Sequence, residues 1–213
     1  MQKIAIMGAH GAGKTTFAYI LAAHFKMKQI NVKLIHESVR ENCPFPINAD
    51  ANQGTCLWNF HTQFLNELEA EAQGYQLAIC DRSVLDTFVY FHAVNPMNPI
   101  TRSAVEQASQ WLTTYDLLIC LEPQGEINPE DDGIRATDRS YQKMIAEGFR
   151  RKLETYGQHV TDRVLYATSR EVFDDIERIS FVEKVEKLLE GRSGLAYSSS
   201  KKHKCAELVK NSG

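Results

Sequence analysis

Gly8-Ala9-His10-Gly11-Ala12-Gly13-Lys14-Thr15 sets glycines, a lysine and a hydroxyl in the order G-x-x-x-x-G-K-T. Glycine lets a backbone approach an anion with no Cβ in the way. The N–H groups of such a turn, and of a helix that follows it, point at phosphate with the helix dipole behind them. Lys14 supplies a flexible point charge for the outer phosphates, and Thr15 a hydroxyl for Mg²⁺. Gly8, His10, Gly11, Ala12, Gly13, Lys14, Thr15 and Thr16 are therefore the expected nucleotide-binding residues, with His10 either touching phosphate or packing.

Other residues have the chemistry to complete such a site. Asp81 closes the apolar run Leu77-Ala78-Ile79-Cys80, and an acid there holds Mg²⁺ through water, opposite Thr15. The next residue is Arg82, where motor and transporter ATPases carry a second acid to polarise water. A cation beside the metal acid suits an anionic or hydroxyl-bearing second substrate, which points to phosphoryl transfer. Glu37 follows the strand-like stretch 32–36, where a carboxylate can take the proton of an attacking hydroxyl. Arg40 would orient Glu37 or the substrate, although the alternative for Glu37 is an ordinary surface ion pair. Arg135 and Arg139, four apart on an acidic, glycine-bearing stretch, read as cations on a lid over about 124–140 that closes on phosphate. Trp58, Gln63 and Tyr90 are expected to form a pocket for a planar base, or else to belong to the core.

The elements that must position these groups follow from periodicity. Apolar runs at 2–7, 32–36, 77–80, 117–121 and 164–166 read as strands, and the segments 14–27, 53–73, 84–94, 101–113, 138–156 and 177–190 as helices. Strands alternating with helices give a three-layer α/β fold, a five-stranded parallel sheet with helices on both faces. Ligands bind beyond the carboxyl ends of such strands, and Glu37, Asp81-Arg82 and the acidic loop all follow strands. One domain over 1–190 is expected, with 191–213 as a polar tail whose Lys201-Lys202-His203-Lys204 is solvated or touches an acidic partner.

The chain carries 24 basic and 27 acidic residues, a balance with no nucleic-acid signature. Its five cysteines form no C-x-x-C pair, which argues for the reducing cytoplasm and against a zinc site. No apolar run approaches the ~18 residues of a membrane span. The N-terminus already reads as a strand, so no cleavable leader is expected.

The loop G-A-H-G-A-G-K-T-T, Glu37-Ser38-Val39-Arg40, Asp81-Arg82-Ser83 with Asp86, and Asp132-Gly133-Ile134-Arg135-x-x-Asp138 together resemble the P-loop nucleoside and nucleotide kinases. The match is nearest to the AAA-type, nicotinamide-riboside-kinase-like branch, with deoxynucleoside kinases as second relatives. The latter share an acid after strand 2, an acid-Arg-Ser triplet (with Glu where this chain has Asp81), and a pocket Trp and Gln matched by Trp58 and Gln63. The resemblance covers about residues 1–190 and implies a P-loop NTPase fold with a lid. It also implies an ATP- and Mg²⁺-dependent kinase acting on a hydroxyl of a nucleoside-like molecule, with a homodimer left open. In that reading Lys14, Glu37, Arg82, Arg135 and Arg139 are catalytic, Thr15 and Asp81 hold the metal, and Glu37, Arg40, Trp58, Gln63, Arg82 and Tyr90 meet the substrate. Two alternatives are a nucleoside monophosphate kinase and a regulatory P-loop switch with no small-molecule acceptor. Against a guanine-nucleotide switch, the chain contains no N-K-x-D segment.

Overall fold

A computed structural model describes residues 1–37, 42–47, 50–123 and 139–193 of the chain. The expected lid over about 124–140 and the polar tail lie almost wholly outside the described residues. β1 (Gln2–Gly8) is buried along its whole length, because it sits mid-sheet with helices on both sides. The other strands are β2 (Val32–Ile35), β3 (Leu77–Asp81), β4 (Leu117–Glu122) and β5 (Val164–Thr168). All neighbours pair in parallel, in the order β2-β3-β1-β4-β5.

Alternation along β1 divides the core in two. Ile4 and Ile6 face one layer, formed by Phe17, Leu21 and Phe25 of α1 (Lys14–Met27) and Val182, Val185 and Leu189 of a C-terminal helix, Asp175–Ser193. Ala5 and Met7 face the other layer. It is formed by Phe60 of α2 (Gln53–Ala72), Phe88 of α3 (Asp86–Val94), Val105 of α4 (Pro99–Trp111) and Phe149 of α5 (Arg139–Tyr156). Each large apolar side chain taken fully out of water contributes about 1.5–3 kcal/mol, so both helical layers are held firmly to the sheet. Capping boxes start α2 (Asn52 with Thr55) and α4 (Asn98 with Thr101), satisfying orphan N–H groups.

The chain leaves β1 through α1 on one face and leaves β3 through α3 and α4 on the other. The carboxyl ends of β1 and β3 are therefore where the connections diverge, the place where sheets of this kind bind ligands. The expected five-stranded parallel sheet is present, with some boundaries moved. α3 starts at Asp86 rather than 84, because the Ser83 N–H and hydroxyl both bind the Asp86 carboxylate in a turn first. A short helix, α6 (Arg170–Phe173), follows β5, and α7 (Asp175–Ser193) starts before the expected 177. Ile176 and Ile179 are 81% and 62% exposed, so the start of α7 shows no buried stripe. The described cysteines are free thiols, and among the described residues no helix is long and apolar enough to cross a membrane.

Candidate active site

β1 ends at Gly8, which has φ +136° and pairs with Leu121 of β4. A Cβ on Gly8 would lie 2.1 Å from the Leu121 carbonyl oxygen, so only glycine lets the chain turn here against the neighbouring strand. Gly13 also has a left-handed φ, +87°, and directly precedes α1; a Cβ there would meet the Phe173 ring at 2.9 Å. The loop between them opens onto the N-terminus of α1, whose first turn carries no acid and whose Gly13 cap makes no side-chain bond. Unfilled N–H groups and an uncompensated dipole at a helix N-terminus suit an anion.

Lys14 is buried and donates to the Ala9 carbonyl at 2.7 Å. Burial, and next the Arg82 charge, lower its pKa to about 8, against the opposing pull of Asp81, Glu37 and Asp86. Thr15 donates its hydroxyl to Asp81 Oδ2 at 2.6 Å. The other oxygen of Asp81, Oδ1, is buried with no hydrogen-bond partner among the described residues. An orphaned carboxylate oxygen beside a threonine hydroxyl and an anion cradle is the donor set of a Mg²⁺ that keeps most of its waters. The residues present therefore fit the metal. His10 packs between Tyr141 of α5 (5.7 Å between ring centres) and Tyr90 of α3 (6.4 Å), and its carbonyl accepts from Gln142 Nε2 at 2.7 Å. The loop is thereby tied to α5.

Arg82 gathers the acids beside the loop. Its Nη2 lies 2.6 Å from Glu37 Oε1 and its Nη1 3.5 Å from Asp86 Oδ1, and its guanidinium sits 5.0 Å from the Tyr90 ring centre. Its own φ is +110°, a conformation that non-glycine residues adopt only when the surroundings enforce it. Burial raises the Asp86 pKa to about 6, although Arg82, Lys14 and two bonds from Ser83 pull the other way. Burial likewise raises the Tyr90 hydroxyl to about 12. A cation between two acids, beside the glycine-rich turn and Asp81, has the chemistry to hold a polyanion next to a proton acceptor.

A family model described as an AAA domain matches residues 3–164. The chain belongs to this AAA domain family. Among solved structures, the AAA domain is similar to "NadR protein in complex with NR", with TM-score 0.67 and 18% identity. The similarity covers 94% of this chain and 53% of that one, so the chain spans about half of the NadR chain it matches. The two share the P-loop NTPase fold. No curated protein matches the sequence.

The AAA domain brings together Lys14, Thr15, Glu37, Asp81, Arg82 and Tyr90 of the expected site residues, with His10 alongside. Gly11, Ala12 and Thr16 complete the loop and the first turn of α1. Gln63 is buried, and its amide donates to Glu67 Oε1 at 2.9 Å and to the Arg82 carbonyl at 3.4 Å, so it engages the main chain of the site. Trp58 is half-buried on α2 and takes no part in these contacts. Arg139 is exposed at the start of α5. Arg40 and Arg135 lie outside the described residues. Asp86, Tyr141 and Gln142 also belong to the site, beyond the residues expected from sequence. Asp86 carried a signal, an acid three residues after Ser83 in D-R-S-x-x-D, whereas Gln142 carried none.

Proposed function

We propose that this AAA domain is an ATP-dependent kinase that moves the γ-phosphoryl group to a hydroxyl of a nucleoside-like small molecule. The observation that carries the reading is the Glu37–Arg82 pair: a proton acceptor held by an arginine that itself follows the metal acid Asp81. The neighbour crystallised with NR, nicotinamide riboside, supports a nucleoside-like acceptor.

In this reading the loop N–H groups and Lys14 hold the β- and γ-phosphates in line with the acceptor. Thr15 and Asp81 would hold Mg²⁺, which would supply positive charge against the phosphates. Glu37 accepts the hydroxyl proton as the new O–P bond forms and the bond from the γ-phosphorus to the bridging oxygen breaks, leaving ADP. Arg82 meets the charge on the moving group, joined by Arg135 and Arg139 as the proposed lid cations. Tyr90, with Trp58 and Arg40, is assigned to the acceptor side, while Gln63, its amide bound to Glu67 and the Arg82 carbonyl, supports Arg82 from behind. The unit is the domain 1–190, acting in the cytoplasm.

A second reading, a nucleoside monophosphate kinase, is favoured by Arg82, since a guanidinium also suits a phosphate acceptor. Glu37→Gln separates the two. Loss of a general base lowers kcat by about 10²–10⁴ when the acceptor is a hydroxyl. An unchanged kcat would mean that the acceptor needs no base, and would favour the monophosphate kinase.

A further inference from the structure

Beneath the site lies a buried polar cluster that core packing alone does not require. Lys3 of β1 places Nζ 2.9 Å from Glu67 Oε2 on α2, and their side chains are 5% and 0% exposed. The same Nζ donates to Thr114 at 2.6 Å and lies over the Trp111 and Tyr115 rings at 4.4 and 5.0 Å. Glu67 spends both oxygens: Oε2 accepts from Lys3 and from Trp111 Nε1 at 2.7 Å, and Oε1 accepts from the Gln63 amide and the Tyr115 hydroxyl. Two of these partners reach onward to the site. Gln63 donates to the Arg82 carbonyl, and the Tyr115 hydroxyl accepts from the Val84 N–H at 3.2 Å.

A buried ion pair is weak evidence for stability, because packed apolar residues of similar volume often do as well. What such residues would not do is fix the direction of hydrogen bonds. The segment held here needs that direction, since Arg82 sits at φ +110°. Its N–H donates to Ile6 at 3.1 Å, the Ser83 N–H donates to Asp86 at 2.9 Å and the Ser83 carbonyl accepts from the Asp86 N–H at 3.2 Å, while the Arg82 carbonyl and the Val84 N–H are held by Gln63 and Tyr115. We infer that Glu67 is a positioning residue for Arg82: through Gln63 and Tyr115 it clamps residues 82–84 in the conformation that delivers the guanidinium to Glu37. The inference rests on the proposed function only in assigning Arg82 a part in the reaction.

The test has one readout independent of turnover and one dependent on it. Arginine side-chain NMR, with Arg82 assigned through Arg82→Lys, should show hindered guanidinium N–H signals in the wild type. Glu67→Gln should broaden or average them. Tyr115→Phe, which keeps the ring and the Lys3–Glu67 pair, should do the same should the Glu67 variant fail to fold. Arg82 signals unchanged in a folded Tyr115→Phe or Glu67→Gln protein would overturn the inference. For turnover, Tyr115→Phe should lower kcat about tenfold with KM for nucleotide within twofold, and have no further effect in an Arg82→Ala background. Equal losses in both backgrounds would show a merely structural role and overturn the inference. Averaged Arg82 signals with no loss of turnover would keep the clamp and instead remove Arg82 from the reaction, counting against the proposed function alone.

Discussion

Raising the pH from 7.5 to 9 should weaken nucleotide binding about eightfold through Lys14 alone. The lysine is buried beside Arg82, and its pKa falls from 10.5 to about 8. In the free protein about three quarters of the molecules carry the charge at pH 7.5 and roughly a tenth at pH 9. Phosphate oxygens in the loop restore the charge, so binding above pH 8 must take up a proton, and the lost fraction corresponds to about 1.2 kcal/mol. Isothermal titration with a non-hydrolysable triphosphate, in two buffers of different ionisation enthalpy, should report uptake of about half a proton at pH 8 and almost none at pH 6.5. Lys14→Ala should bind more weakly and show no uptake. Stability should move the other way. Between pH 8 and 10.5 the unfolded chain holds this proton and the folded chain does not, so this group makes folding more favourable as pH rises through that window. Buffer-independent enthalpies at pH 8, with affinity undiminished at pH 9, would refute the reasoning.

Gly8→Ala should lower stability by about 3 kcal/mol or more, about 6–12 °C in Tm, because its Cβ meets the Leu121 carbonyl at 2.1 Å and its φ is left-handed; thermal unfolding checks it. Asp81→Asn keeps an acceptor for Thr15 but removes the negative charge beside the partnerless Oδ1. The Mg²⁺ concentration for half-maximal turnover should rise at least about tenfold, while metal-free nucleotide binds as well or better.

The sheet was legible in the sequence because strands buried on both faces read as unbroken apolar runs, and Leu77–Cys80 and Leu117–Leu121 are such runs. The donor side of the site was legible because glycine spacing and strand-end acids are local features. What joins them was not. Lys3 and Glu67 each look like surface charges in sequence, and nothing local says that they meet across 64 residues in the core. Gln63 reads as a base-contacting amide, yet its orientation depends on Glu67, one helical turn away on the same face. The left-handed φ of Arg82 is held by its N–H donating to Ile6, its carbonyl accepting from Gln63 and its guanidinium pairing with Asp86, on three separate elements. Start signals for α6 and α7 were weak because Phe173, Ile176 and Ile179 leave apolar surface exposed.

Phosphoryl transfer to an acceptor hydroxyl is tested most directly by incubating the protein and Mg²⁺ with ATP labelled in its γ-phosphate. The acceptor panel comprises ribo- and deoxynucleosides, nicotinamide riboside and nucleoside monophosphates. Label is expected on the hydroxyl of a nucleoside-type acceptor, with transfer lost in Glu37→Gln. ATP consumed with the label appearing only as inorganic phosphate, whatever acceptor is supplied, would contradict a kinase and point to an NTPase.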